Sequence, residues 1–261
     1  MESVLLYLLI GAGGGFLAGL FGIGGGIVIV PLLVIAFGLQ GVADELIIHA
    51  AIGTSLACIA ITAVSSTWAH HQRGAVRYDW LGRLLPGLVV GAVIGVCIGD
   101  RLSAGVLNLL LGLFFLALAA RMWINSRPRG EGGIPGTLGL SAAGTVIGAI
   151  SALFGVGGGA LTVPFLSWRG AIMTQAVGTS AASGLPIAII GALTSMIVGY
   201  GRPGLPAWST GYVVWPAMAS IVILSVPMAR LGAAAAHRLP ALWLKRGFAV
   251  LLAIVAIKFL V

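Results

Sequence analysis

Apolar runs of helix length alternate with short polar breaks along the whole chain. Five such runs occupy the first part, at about 4–20, 24–38, 46–69, 80–99 and 102–123. After a polar stretch rich in Gly and Pro, "NSRPRGEGGIPG" from Asn125 to Gly136, five more follow at about 137–153, 157–168, 172–199, 210–229 and 241–260. Backbone in lipid must satisfy its own hydrogen bonds, so continuous apolar segments of this length predict helices. The pattern predicts an all-α polytopic membrane protein with one integrated transmembrane domain. Residues 1–124 form a first membrane repeat, 125–136 a cytoplasmic linker and 137–261 a second repeat.

The repeat is written in the residues. "LFGIGGGIVIVP" (Leu20 to Pro31) returns as "LFGVGGGALTVP" (Leu153 to Pro164), with eight of twelve positions identical at an offset of 133. "AIGTSLA" (Ala51 to Ala57) returns as "AVGTSAA" (Ala176 to Ala182) at an offset of 125. Pro86 and Pro216 both stand early in the fourth segment of their half. Five segments per half, an odd number, predict halves inverted relative to each other. The first two segments of each half are short, which suits a glycine-broken hairpin that need not cross the bilayer fully.

Composition agrees: 59% of the 261 residues are hydrophobic and 8% charged, with a mean hydropathy of +1.13. Soluble domains carry roughly 25% charged residues. The net charge of +8 suits cytoplasmic loops better than nucleic acid, which is not expected as a partner. With both termini outside, only Arg101, Arg202 and Lys258 of the 14 basic residues face outward, as the positive-inside rule requires. Cys58 and Cys97 lie inside apolar runs, which argues against a disulfide framework. The start "MESVLLYLLI" lacks a basic leader region and reads as the first membrane segment.

Three adjacent glycines do not follow helical packing periodicity, unlike Gly87, Gly91, Gly95 and Gly99, which form a small-residue packing ladder. Helix breaks at Gly24, Gly25 and Gly26, and at Gly157, Gly158 and Gly159, would present free N–H groups to an anion. Thr54, Ser55, Thr179 and Ser180 add duplicated hydroxyls near mid-membrane depth, able to donate without burying a charge. Gln175 is a further candidate substrate contact. No carboxylate or basic residue lies firmly inside a span, which leaves His49 as the candidate for proton coupling. No cofactor, metal site or catalytic residue is expected.

The paired FGIGGG and FGVGGG loops with Pro31 and Pro164, together with the two GTS motifs at Gly53 and Gly178, resemble the TauE/SafE sulfite exporter family across nearly the whole chain. That resemblance implies a bacterial inner-membrane permease for sulfite, sulfoacetate or related organosulfonates, coupled to the proton gradient, with export the commoner direction. Its partners would be a small anion and membrane lipid. Two other readings stand beside it. One is a passive anion channel. The other is an intramembrane serine hydrolase with Ser183 as nucleophile, for which a base within reach is lacking.

Overall fold

The computed structural model describes residues 2–21, 26–123, 133–236 and 241–260. Among these residues, ten helices carry the fold. The first half contains α1 (Glu2–Phe21), α2 (Gly26–Leu39), α3 (Asp44–Gln72), α4 (Tyr78–Arg101) and α5 (Ala104–Trp123). The second contains α6 (Thr137–Leu153), α7 (Gly159–Trp168), α8 (Met173–Val198), α9 (Trp215–Ala236) and α10 (Ala241–Leu260). Among the described residues, α3, α4, α5, α8 and the stretch Trp215–Gly232 of α9 are long and apolar enough to cross a membrane. At 1.5 Å per residue the 14-residue α2 and the 10-residue α7 reach only about 21 and 15 Å, against a hydrocarbon core of roughly 30 Å.

The expected segment boundaries differ from the helices by a few residues, except at α9, which starts later than expected and runs on to Ala236 rather than ending near 229. There the run expected from residue 210 opens as a small antiparallel hairpin, β1 (Ser209–Thr210) against β2 (Val213–Val214). The helix starts only at Trp215.

Local chemistry explains the ends. Asp44 and Glu45 sit in the first turn of α3, matching the positive end of the helix dipole. The ends of α3 and α6 close alike. Gly74 N–H bonds to His71 O and Ala75 N–H to His70 O; Gly155 N–H bonds to Ala152 O and Val156 N–H to Ser151 O. Both glycines adopt positive φ, +64° and +65°, as a left-handed C-terminal cap requires.

Packing pairs helices across the two halves. The α4 helix lies on α6, and α1 lies on α9 in the corresponding way; α3 meets α8, and α5 meets α10. Exchanging the two halves turns the α4–α6 pairing into α9–α1 and leaves α3–α8 and α5–α10 as they are. The glycine ladder is a packing device: methyl groups on Gly87, Gly91 and Gly95 would overlap the backbone of Ser141, Thr145 and Ala149 in α6. In return Gly144 and Gly148 of α6 face the carbonyls of Leu84 and Leu88. Such backbone approach supplies the close van der Waals contact on which association in lipid depends. In the α1–α9 pair, Gly11, Gly15 and Gly232 do the same work.

Candidate functional site

The second glycine word is a helix break. Gly155 caps the end of α6, Gly158 precedes the first residue of α7, and Gly159 opens that helix. Gly26 opens α2, while Gly24 and Gly25 lie outside the described residues. The start of α2 meets this break. A Cβ on Gly26 would stand 2.6 Å from Gly155 O and 3.0 Å from Val156 Cα. Ser55 Oγ, on α3, donates to the same Gly155 carbonyl at 2.9 Å. Ile59, one turn further along α3, covers the meeting point, because its side chain abuts Gly26 and Gly157 alike.

The GTS threonines are fully buried, and each is tied to the other half of the chain. Thr54 Oγ1 accepts from Val214 N–H at 3.1 Å and faces the Tyr212 carbonyl at 3.4 Å. Thr179 Oγ1 accepts from Arg77 N–H at 3.0 Å. Val214 immediately precedes α9 and Arg77 immediately precedes α4, so each threonine holds the entry to the other half's fourth helix. The preceding glycines make room: Gly53 lies against Tyr212 and Gly178 against Ala75. Ser180 is buried, and its hydroxyl has no hydrogen-bond partner among the described residues. Gln175 is half-buried in the first turn of α8. Ser183 donates back to Thr179 O at 2.9 Å, the ordinary local bond of a helical serine.

His49 lies one turn of α3 before Ile52, which meets Gly155, and faces the C-terminal end of α4. Its Nδ1 is 3.0 Å from Glu45 O and its Nε2 is 3.1 Å from Gly99 O. The ring stacks on Tyr212 at 5.3 Å between centroids. Tyr212 donates from its hydroxyl to Asp100 Oδ1 at 2.7 Å, and Arg202 Nη2 pairs with the same oxygen at 2.8 Å. Burial and the neighbouring Asp100 carboxylate push the Tyr212 phenol above its ordinary pKa. A small cavity of about 20 Å³ borders His49, Asp100, Ser195 and Tyr212, enough for about one water molecule.

The structure thus brings together Gly26, Ser55 and the Gly155–Gly159 break, and Ser180 lies one helical turn before Gly184, which borders Gly158. It turns His49 toward the end of α4 and occupies both GTS threonines with backbone. Thr162 of α7 was missed by reading the motifs. It is completely buried, and its hydroxyl has no partner among the described residues. The signal for it was a difference between the repeats, since Ile29 stands at the matching place.

Comparison with known proteins fits this architecture. The family model for sulfite exporter TauE/SafE matches residues 7–259. The chain belongs to the TauE/SafE sulfite exporter family. Among the relatives of this TauE/SafE protein is a "Probable membrane transporter protein" of Haemophilus influenzae, 38% identical over 98% of this chain and 97% of its own. One from Xylella fastidiosa is 33% identical over 78% and 77%, and one from Methanocaldococcus jannaschii is 27% identical over 87% and 84%. No solved structure matches. The TauE/SafE protein is therefore a multi-pass membrane transporter for a small molecule, rather than an enzyme.

Proposed function

We propose that this transporter moves a small sulfur-containing anion, such as sulfite, sulfoacetate or a related organosulfonate, across the bacterial inner membrane. The reading is of proton-coupled export by two inverted halves, with both termini outside and the anion held between the halves. The observation that carries it is the meeting of the start of α2 with the helix break of the second half, Gly26 against Gly155 and Val156, in a chain with paired packing. Broken helices at the interface of repeats are a recurrent way to build a transport site, with backbone N–H groups turned toward the substrate. Gly24, Gly25, Gly26, Gly157, Gly158 and Gly159 would supply that backbone, and Ser180 and Gln175 the adjacent side chains. Thr54, Ser55 and Thr179 would act on the site by fixing the helices around it.

His49 is the proton-coupling candidate on geometric grounds. Both ring nitrogens face carbonyl oxygens, and only an imidazolium donates from both. Protonation would tighten the clasp between α3 and the end of α4, and loss of the proton would release one bond. The charged and titratable groups around the ring are Glu45 on its own helix, Asp100 on α4, and Arg202 and Tyr212 before α9. A proton could in this way be linked to movement of the outer end of α4.

The test is flux of sulfite, sulfate, sulfoacetate and taurine in proteoliposomes under an imposed pH gradient. Accumulation of a sulfur anion that collapses with the gradient supports a proton-coupled carrier. Flux indifferent to the gradient makes the protein a channel or assigns another coupling ion. Absence of flux for all four, from folded protein, removes the substrate assignment.

A further inference from the structure

The two halves share a motif, but they differ in polarity at the glycine words. Offsets of 133 and 125 residues match Thr162 with Ile29, Ser180 with Ser55, and Gly184 with Ile59. In the first half Ile29 and Ile59 are buried apolar side chains, and Ser55 already donates to Gly155 O. In the second half Thr162 is 0% and Ser180 2% exposed, and neither hydroxyl has a partner among the described residues. A buried hydroxyl without a partner forgoes the hydrogen bonds that water would give it.

Thr162 belongs to the start of α7, and Ser180 lies one turn before Gly184 on the helix packed against it. Thr162 Oγ1 would lie 3.2 Å from a Cβ on Gly158, and Gly184 N and Ile187 Cδ1 border the same point at 3.9 and 2.9 Å. Ser180, Gly184 and Ile187 share one face of α8, at helical spacings of four and three. Along the first turn of α7, Leu161 and Thr162 N–H groups both bond to Gly158 O. The N–H groups of Gly158, Gly159 and Ala160 remain at the open end, where the helix dipole is positive. Where the first half has Ile59, Gly184 leaves that side of the break without a side chain.

We infer that the anion seat is one-sided, formed by the N-terminus of α7 with the Thr162 and Ser180 hydroxyls beside Gly184, and closed from the first half by Ile59. The inference rests on the anion-transport reading above and adds to it the residues that select the substrate. Backbone N–H groups and two hydroxyls supply several donors and no full positive charge. Such a seat suits a singly charged oxyanion with several oxygens around one centre. A second charge on the seated centre itself, as in sulfate, has nothing in the seat to offset it, whereas hydrogensulfite or the sulfonate end of sulfoacetate brings one, and a halide would use the diverging donors poorly. The pairing of motifs gives the protein its scaffold, and the mismatched positions give it a binding site.

Thermal unfolding of the full-length protein in non-ionic detergent, titrated with methanesulfonate and separately with sulfate, tests this directly. Methanesulfonate is expected to raise the midpoint saturably and sulfate to do so far less. Thr162→Val and Ser180→Ala should each weaken the apparent methanesulfonate Kd roughly tenfold to a hundredfold, the value of a hydrogen bond to a charged group. Thr162→Ser, which keeps the hydroxyl, should stay near the parent. A midpoint that no methanesulfonate concentration moves overturns the seat. So does an unchanged Kd in Thr162→Val and Ser180→Ala, even where stability falls, and in that case the transport reading stands. Weakened binding in both variants, without methanesulfonate or sulfite flux in proteoliposomes, supports the seat and counts against the transport reading.

Discussion

Gly74 and Gly155 allow a controlled comparison inside one protein. Both end a helix in the same hydrogen-bonded turn, at φ values of +64° and +65°. Replacing either with alanine forces an L side chain into the left-handed region, which costs roughly 1–2 kcal/mol. Alanine also restricts the unfolded chain, which returns about 0.4–1 kcal/mol. These two contributions are common to both sites, so Gly74→Ala should lose only about 1 kcal/mol. Nothing lies within 4 Å of a Cβ on Gly74, whereas one on Gly155 would sit 2.9 Å from Val30 Cγ2, 3.0 Å from Ile52 Cα and 3.2 Å from Ile52 O. Two of those three atoms are backbone of a packed helix and cannot turn aside. The overlap adds about 1–3 kcal/mol, so Gly155→Ala should lose a total of roughly 2–4 kcal/mol. Denaturant unfolding in mixed micelles, followed by circular dichroism, measures the difference between the variants. Equal losses at the two sites would refute the argument that the Gly155 break is held by backbone contact across the halves.

Other substitutions probe separate parts of the structure. Thr54→Ala orphans the buried Val214 N–H and Thr179→Ala the Arg77 N–H, each at about 1–3 kcal/mol; unfolding midpoints equal to the parent's would show that these hydroxyls do not hold the helix entries. Gly158→Ala places a methyl against the flexible end of Ile187 and 3.2 Å from Thr162 Oγ1, so it should fold while sulfite flux drops at least about tenfold, the equivalent of roughly 1.4 kcal/mol. Full flux in that variant would remove the α7 terminus from the substrate path. His49→Gln keeps one donor but cannot be protonated, and flux should lose its dependence on an imposed pH gradient while protein yield holds; an unaltered dependence would place coupling elsewhere. Cys58 is fully buried and should resist maleimide in the folded protein until denaturant is added, which mass spectrometry of the labelled chain reads directly.

Much of the fold is legible in the sequence because bilayer thickness and backbone hydrogen bonding leave few options for long apolar runs. The helices follow those runs closely, and the Gly87–Gly95 ladder packs as its spacing implies. The hairpin before α9 is not legible. Strands of two residues carry no periodicity, and Val213 and Val214 read as the start of the apolar run they precede. The roles of the GTS threonines were equally hidden, because their partners lie 102 and 160 residues away and no local pattern announces them. Reading the repeat drew attention to what the halves share, yet the unpaired hydroxyl of Thr162 stands where they differ. Duplicated positions report the scaffold, and a buried threonine facing an isoleucine in alignment is the stronger sign of chemistry.

The reciprocal threonine clasps also bear on how the chain is made. Thr54 is synthesised long before Val214, and at about 5–20 residues per second the interval is roughly 8–30 s. Throughout that time the Gly53–Thr54 face of α3 has no partner, and the start of α4 waits likewise for Thr179. The first half can enter the membrane as helices but cannot finish packing on its own. Premature termination anywhere before residue 212 would leave an open, polar-lined helix face in lipid, a form that membrane quality-control proteases are suited to remove.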